Sequence, residues 1–346
     1  MRKISLQVFL LLLVTVSWAG EQWHITILHT NDLHGWMLPF DYQTTNEQFM
    51  KAEFVDPRYA GANVGGLARR STLIAGLRKE IDHPLVVIDA GDLFTRGPWY
   101  QQFFGVPEIQ ALNLLNYDML CVGNNEFKAT DGVDAQSKML SLMRQSKFPW
   151  LAANLTVGDT GVPVEGIHPY IVRRFGNVRV GFLGLTAPRA KDYPQTKGWT
   201  ISDPIVAANR WVPLARQECD ILIAVTHLGV TDDQRLAAKV VGIDAIVGGD
   251  SHTFLAKPLR VKNPAGVVVP IVQDGAYGVC LGRFDLTFEK ADGWHLASST
   301  GELIPVNAQV QEDPIIKHLL EEWIHPAVPL KVGRLPALPF VTAWAA

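Results

Sequence analysis

The chain has 346 residues, with 31 basic against 34 acidic side chains and a formal net charge of −3. That balance leaves no basic footprint for nucleic acid, and 48% hydrophobic against 19% charged residues excludes a disordered chain. The 29 glycines and 21 prolines show no repeat, which excludes collagen-like and low-complexity material.

The N-terminus reads as a separate object. Met1-Arg2-Lys3 is a short basic start, Ile4 to Val16 is almost wholly apolar, and Ser17-Trp18-Ala19 offers small residues where a signal peptidase reads. This pattern predicts a signal peptide over 1–19, cleaved after Ala19. The apolar run is shorter than the roughly 20 residues a membrane span needs. The expectation is therefore a periplasmic or secreted protein with no stable membrane anchor after cleavage. Cys121, Cys219 and Cys280 are odd in number and sit in apolar segments, so free buried thiols are expected; one disulfide remains open.

The mature chain alternates strands and helices. Strands are predicted at Trp23–Leu28, Leu85–Ile88 and Met119–Val122, with helices at Gly65–Glu80, Val106–Asn116 and Asp131–Gln145 between and after them. Tyr170–Arg174 and Val178–Leu185 flank Phe175-Gly176-Asn177, a hairpin signal. A helix over Asp203–Gln217, despite Pro213, precedes a strand at Ile221–Thr226. A helix at Asp232–Val241 and a strand at Asp244–Val247 follow. Val267–Gln273 and Val279–Phe288 are the last predicted strands, Asp313–Ile324 the last helix, and His325–Ala346 an irregular tail. This order implies an α/β fold with mixed sheets.

In such sheets ligands bind beyond the carboxyl ends of the strands. Five predicted strands run there into metal-ligand residue types. They are His29-Thr30-Asn31-Asp32-Leu33-His34, Asp89-Ala90-Gly91-Asp92, Gly123-Asn124-Asn125-Glu126, Thr226-His227-Leu228-Gly229 and Gly248-Gly249-Asp250-Ser251-His252. Each alone also reads as a turn, a cap or a satisfied polar residue. Together they mix carboxylate, imidazole and amide donors, which is what two close cations require.

These motifs, with Gly65-Gly66-Leu67-Ala68-Arg69, occur in the order of a known family. The chain resembles the catalytic domain of the secreted 5'-nucleotidases, within the calcineurin-like metallophosphoesterases, from about residue 24 to about 310. The resemblance implies a four-layer α/β/β/α sandwich with mixed sheets, carrying two divalent metal ions. Mn, Fe, Zn and Mg all remain open. It implies that Asp32, His34 and His252 hold the first ion, Asp92 bridges, and Asn124, His227 and Asp250 hold the second. The expected chemistry is attack of a metal-activated water on a nucleotide or small phosphate ester, with Asp92 and Asn125 in the catalytic set. Asn124, Lys128 and Arg96 are candidate substrate contacts. Arg96 and Arg69 could touch a phosphate ester, but both read better as solvated surface arginines.

The chain departs from the family pattern in three places. The usual motif is Gly-Asn-His-Glu, with an Asp three residues after the His; here those positions are Asn125 and Lys128. A neutral amide donates a hydrogen bond but passes no proton at pH 7, and loss of a general acid typically costs roughly 10²–10⁴ in rate. Lys128 reads either as positive charge towards a phosphate or as a solvated lysine. Asp250 stands where many members have His, and a third carboxylate tilts the site towards Mn, Fe or Mg over Zn. Finally, the domain expected over 20–310 is followed only by a helix and tail over 311–346, without the family's second domain. The alternative to an enzyme is a pseudo-enzyme that keeps the metal centre to bind phosphate or a nucleotide. Asn154 reads as a loop tie, and Trp36 and Trp99 as cleft walls or ordinary packing. The segment from Pro39 to Ala60 reads as a lid or a long loop.

Overall fold

A computed structural model describes residues 21–42, 55–97, 103–128 and 135–324. The predicted signal peptide, Trp99, the middle of the Pro39–Ala60 segment, the start of the helix expected from Asp131 and the C-terminal tail lie outside these residues.

Two mixed sheets form the centre. The first consists, in spatial order, of β17 (Trp294–Pro305), β16 (Cys280–Lys290), β1 (Gln22–Thr30), β4 (Leu85–Asp89), β5 (Met119–Cys121), β6 (Trp150–Leu151) and β8 (Ile167–His168). The second consists of β14 (Leu259–Lys262), β15 (Val268–Val272), β13 (Ala245–Val247), β12 (Ile221–Thr226), β10 (Val178–Leu185) and β9 (Tyr170–Phe175). Two small ribbons pair β2 (Phe40–Tyr42) with β3 (Gly61–Val64) and β7 (Leu155–Val157) with β11 (Trp199–Ile201). In the first sheet β1, β4 and β5 are mutually parallel. In the second, β10, β12 and β13 are parallel. β4, β5, β12 and β13 are short apolar runs buried along nearly their whole length, as strands covered on both faces must be.

One apolar cluster lies between the sheets. Ile25, Ile27, Val86, Ile88, Met119 and Leu151 meet Val180, Phe182, Ile223, Val225 and Val247. The outer face of the first sheet is covered by α1 (Leu67–Glu80), α2 (Val106–Leu114), α3 (Ala135–Gln145) and α6 (Pro314–Ile324) through Leu67, Ile74, Ile109, Leu112, Met139 and Leu320. The outer face of the second is covered by α4 (Pro204–Glu218) and α5 (Val230–Lys239) through Ala208, Val212, Ala215, Leu236 and Ala237. This is the expected four-layer α/β/β/α sandwich.

Local chemistry explains the helix limits. Asp203 caps α4 by accepting from the backbone N–H of Ile205 (2.8 Å) and Val206 (3.0 Å). Pro213 and Asn209 lie on the solvent face of α4, so the carbonyl that the proline leaves without a partner can bond to water. Cys121, Cys219 and Cys280 are free and buried, as expected. Among the described residues no helix is long and apolar enough to cross a membrane.

Candidate metal centre

The parallel strands deliver their carboxyl ends to one edge, and the site is assembled from the turns that follow. Asp32 and His34 follow β1, Asp92 follows β4, Asn124 and Asn125 follow β5, His227 follows β12, and Asp250 and His252 follow β13. Five of these residues hold left-handed backbone: Asp32 (φ 51°), His34 (50°), Asp92 (57°), Asp250 (83°) and His252 (52°). Such conformations cost about 1–3 kcal/mol each and persist only where surrounding contacts enforce them. Here the chain turns sharply so that the side chains double back towards one point.

Asp32 is the hub. Its Oδ2 accepts from Asn31 Nδ2 and from the backbone N–H of Asp250, both at 2.7 Å. Its Oδ1 is buried with no hydrogen-bond partner. That oxygen lies 3.2 Å from His252 Nε2, 3.6 Å from His34 Nε2 and 3.9 Å from His227 Nε2. Asp92 Oδ1 is 3.2 Å from His227 Nε2, and Asp92 Oδ2 is 3.9 Å from His34 Nε2. Two donor groups result, Asp32–His34–His252 and Asp32–Asp92–His227.

The outer ring nitrogens are fixed by backbone carbonyls. Nδ1 of His227 donates to Ala90 O (2.8 Å), and Nδ1 of His34 faces Phe94 O (3.3 Å). This choice of tautomer leaves the Nε2 lone pairs pointing inward, the arrangement found around ligated metals. His227 Nε2 is buried and unpartnered. Burial of His34 lowers its pKa to about 4, against the opposing pull of Asp92 and Asp32, so its imidazole is neutral at pH 7. Burial disfavours charge on His227 as well, yet Asp92, Asp32 and Asp250 together raise its pKa well above the usual range. Burial would raise the carboxyl of Asp92, but His227 and His34 hold it below the ordinary carboxylate range. Inward lone pairs, an orphaned carboxylate oxygen and a field that draws positive charge fit a divalent cation at Asp32, His34 and His252, with Asp92 beside them.

A second set of groups fixes the ligand turns. Glu126 is fully buried and accepts from the backbone N–H of Gly123 (2.6 Å), Leu93 (2.8 Å) and Asp92 (2.9 Å), tying the β4 and β5 turns together. Burial and Asp92 raise its pKa to about 8. Gly123 is obligatory, because a Cβ there would lie 2.4 Å from both Asp92 Oδ1 and Asp92 N. Asn125 is engaged with Asp92: its side chain donates to Oδ2 at 2.5 Å and its backbone N–H to Oδ1 at 2.7 Å.

The remaining candidates separate. Asn124 is within the site, but its Oδ1 accepts from Arg189, and its Nδ2 lies 3.4 Å from Tyr193 Oη. Lys128 is half-buried, with Nζ 4.6 Å from the centre of the Tyr193 ring. Arg96 is exposed and donates to Tyr277 Oη (3.3 Å), whose ring packs against His34 and His252. Arg69 is not solvated. It is buried and donates to Asn63 O (2.7 Å) and Asn63 Oδ1 (2.9 Å), because that loop needs its carbonyls satisfied. Asn154 ties a loop, bonding Thr186 on both sides of its amide. Trp36 is buried in an aromatic cluster with Phe40 and Tyr277.

Sequence reasoning missed Arg189, Tyr193 and Tyr277. Arg189 sits on the turn after β10, forms an ion pair with Asp250 and donates to Asn124. Only its position just past the carboxyl end of a buried parallel strand signals it.

The family model for calcineurin-like phosphoesterases matches residues 25–254. The chain belongs to this family. It is 31% identical over 333 residues to the human (Homo sapiens) 5'-nucleotidase, an alignment covering 91% of this chain and 55% of that protein. The structure of a 5'-nucleotidase precursor from Thermus thermophilus superposes with a TM-score of 0.75 at 27% identity, over 88% of this chain and 59% of that one. The phosphoesterase YfkN from Bacillus subtilis superposes with a TM-score of 0.67 at 25% identity, over 88% and 97%. The chain spans about half the length of the curated relatives it matches.

Proposed function

We propose that the chain is an exported, metal-dependent phosphoesterase that hydrolyses a nucleotide or a small phosphate ester. The observation that carries this reading is the convergence of Asp32 Oδ1 and the Nε2 atoms of His34, His227 and His252, two of these atoms buried without a partner. The 5'-nucleotidase relatives support the substrate class, and the residue pattern over 1–19 supports export. A divalent ion in that nest would lower the pKa of a bound water and neutralise charge developing on the phosphoryl oxygens.

The protein's own groups set the rest. Asp32 and Asp92 supply anionic charge at fixed orientation, and the neutral His34 imidazole offers a lone pair without first losing a proton. Asn125 acts on Asp92 and carries no proton to give. The leaving oxygen must therefore be stable as it departs or take its proton from water, which favours activated esters and diesters over poor alkoxide leaving groups.

The test is Mn²⁺-dependent hydrolysis of bis-p-nitrophenyl phosphate and of 5'-AMP, with Asp92→Asn as control. Hydrolysis abolished in the control supports the enzyme. Retained Mn²⁺ binding without turnover on either ester supports the pseudo-enzyme, in which the same centre binds phosphate.

A further inference from the structure

Two donor groups at the second cation position are not free to take a metal. The resemblance assigns Asn124, His227 and Asp250 to that position, with Asp92 bridging. In the structure a guanidinium occupies two of these donors. Arg189 Nη2 donates to Asn124 Oδ1 and to Asp250 Oδ1, and Nη1 donates to Asp250 Oδ2 at 2.7 Å. The pairing with Asp250 is the bidentate fork that suits a carboxylate and has no counterpart with an imidazole. Asp92 and the unpartnered Nε2 of His227 remain there, but with Asn124 and Asp250 both taken the second position keeps only part of its donor set, whereas Asp32, His34 and His252 fit a first ion whole.

We propose that Arg189 is the built-in second cation of this site, so that the chain works with one divalent ion where its fold provides for two. The inference rests on the phosphoesterase reading above and deepens it. Charge supports it: Asp32, Asp92 and Asp250 carry three negative charges, which one divalent ion and one guanidinium balance. Position supports it too. The Arg189 side chain is half-exposed, 52%, so an anion arriving from solvent can reach it. A guanidinium has five N–H donors; three are spent on Asn124 and Asp250 and another on Tyr193. Arg189 therefore faces an incoming phosphate as a fixed, non-exchangeable positive charge. The carboxylate at Asp250 and the arginine are one device, since each would be an uncompensated charge without the other.

Metal stoichiometry tests this independently of turnover. The full chain is saturated with Mn²⁺, freed of excess by dialysis, counted by elemental analysis and read by electron paramagnetic resonance. One Mn per chain with an isolated-ion spectrum is expected. Arg189→Ala combined with Asp250→His removes the guanidinium and restores an imidazole, and should take up two Mn per chain with an exchange-coupled spectrum. If the double variant proves poorly folded, Arg189→Ala alone frees Asn124 and Asp250 and should also take up a second Mn; one Mn per folded Arg189→Ala chain overturns the proposal. Two Mn per wild-type chain overturn the proposal. One per chain in both wild type and a folded double variant overturns it as well, because the arginine is then not what limits occupancy. No Mn in the wild type overturns the metal-centred function itself.

Discussion

Asn125 decides between two roles for the residue in the family's catalytic-histidine position, and Asn125→Ala separates them. Its side chain donates to Asp92 Oδ2 at 2.5 Å while its backbone N–H holds Oδ1 at 2.7 Å. A hydrogen bond to a charged group contributes about 1.5–3 kcal/mol. The backbone bond survives the substitution, so Asp92 loses one of two restraints and the lower half of that range applies. At about 1.4 kcal/mol per factor of ten, Mn²⁺ binding should weaken roughly 10–30-fold, within the span known for outer partners of metal ligands. Turnover at saturating Mn²⁺ should fall less than about tenfold, because a neutral amide has no proton to lose, whereas removing a true general acid costs roughly 10²–10⁴. Calorimetric Mn²⁺ titration gives the first number and steady-state hydrolysis at saturating metal the second. A fall in kcat of more than about 100-fold with unchanged Mn²⁺ affinity would refute the positioning role and make Asn125 a group that touches the reacting phosphate.

Two further outcomes follow from the supporting shell. Glu126→Gln turns an acceptor into a donor against the backbone N–H groups of Gly123, Leu93 and Asp92. It should cost about 1–3 kcal/mol in urea unfolding, with metal affinity falling alongside; unchanged stability would show that this tie is not needed. Asp233 is fully buried, accepts from the Thr226 hydroxyl at 2.6 Å, and has its pKa raised to about 7 by burial, with Asp250 and Asp232 adding to the rise and Thr226 and His227 opposing it. Its folded pKa lies above the unfolded value of 3.8, so the unfolded chain releases this proton first. Stability is therefore lost as pH rises from about 4 to about 7, by roughly 4 kcal/mol in all. Asp233→Asn should gain stability relative to wild type as pH rises from about 4 to about 7 and keep that gain above it; a difference independent of pH would rule out this group as the source.

The central strands, the helices and the five ligand turns were legible because each carries a local signal. Short apolar runs mark β4, β5, β12 and β13, and Gly-Asp or Asn-rich turns follow most of them. β17 was not legible. It is an edge strand with a mostly exposed face, and its centre, Ser298-Ser299-Thr300-Gly301, has neither an apolar run nor a clean alternation. It exists because β16 offers an eleven-residue template for pairing. The two- to four-residue strands β2, β3, β5, β6, β7, β8, β11, β13 and β14 are too short for periodicity to register; only β5 and β13, apolar runs before a glycine turn, were found. In the site, ligand identities could be read in sequence but occupancy could not. Whether Asn124 and Asp250 face a metal or a guanidinium depends on Arg189, some 60 residues from each along the chain, brought to Asp250 by the pairing of the second sheet and to Asn124 by the packing of the first sheet against it.

The departures from the family pattern fall on one side of the centre. Asp32, His34, His252 and Asp92 are the types the pattern expects. Asn125, Lys128 and Asp250 are the ones that differ, and the structure links two of them through the surroundings of Asn124: Arg189 bonds Asp250 and Asn124, and Lys128 lies over the ring of Tyr193, whose hydroxyl lies beside Asn124 Nδ2, while Asn125 is held on Asp92. Random decay of a metal site leaves buried polar groups without partners, each costing about 1–3 kcal/mol. The changed residues here are satisfied, while the unpartnered atoms, Asp32 Oδ1 and His227 Nε2, belong to unchanged ones. On the proposal for Arg189, this pattern is a fixed positive charge on Asp250 and Asn124 beside the unpartnered Asp32 Oδ1 and His227 Nε2, which stay available to a metal.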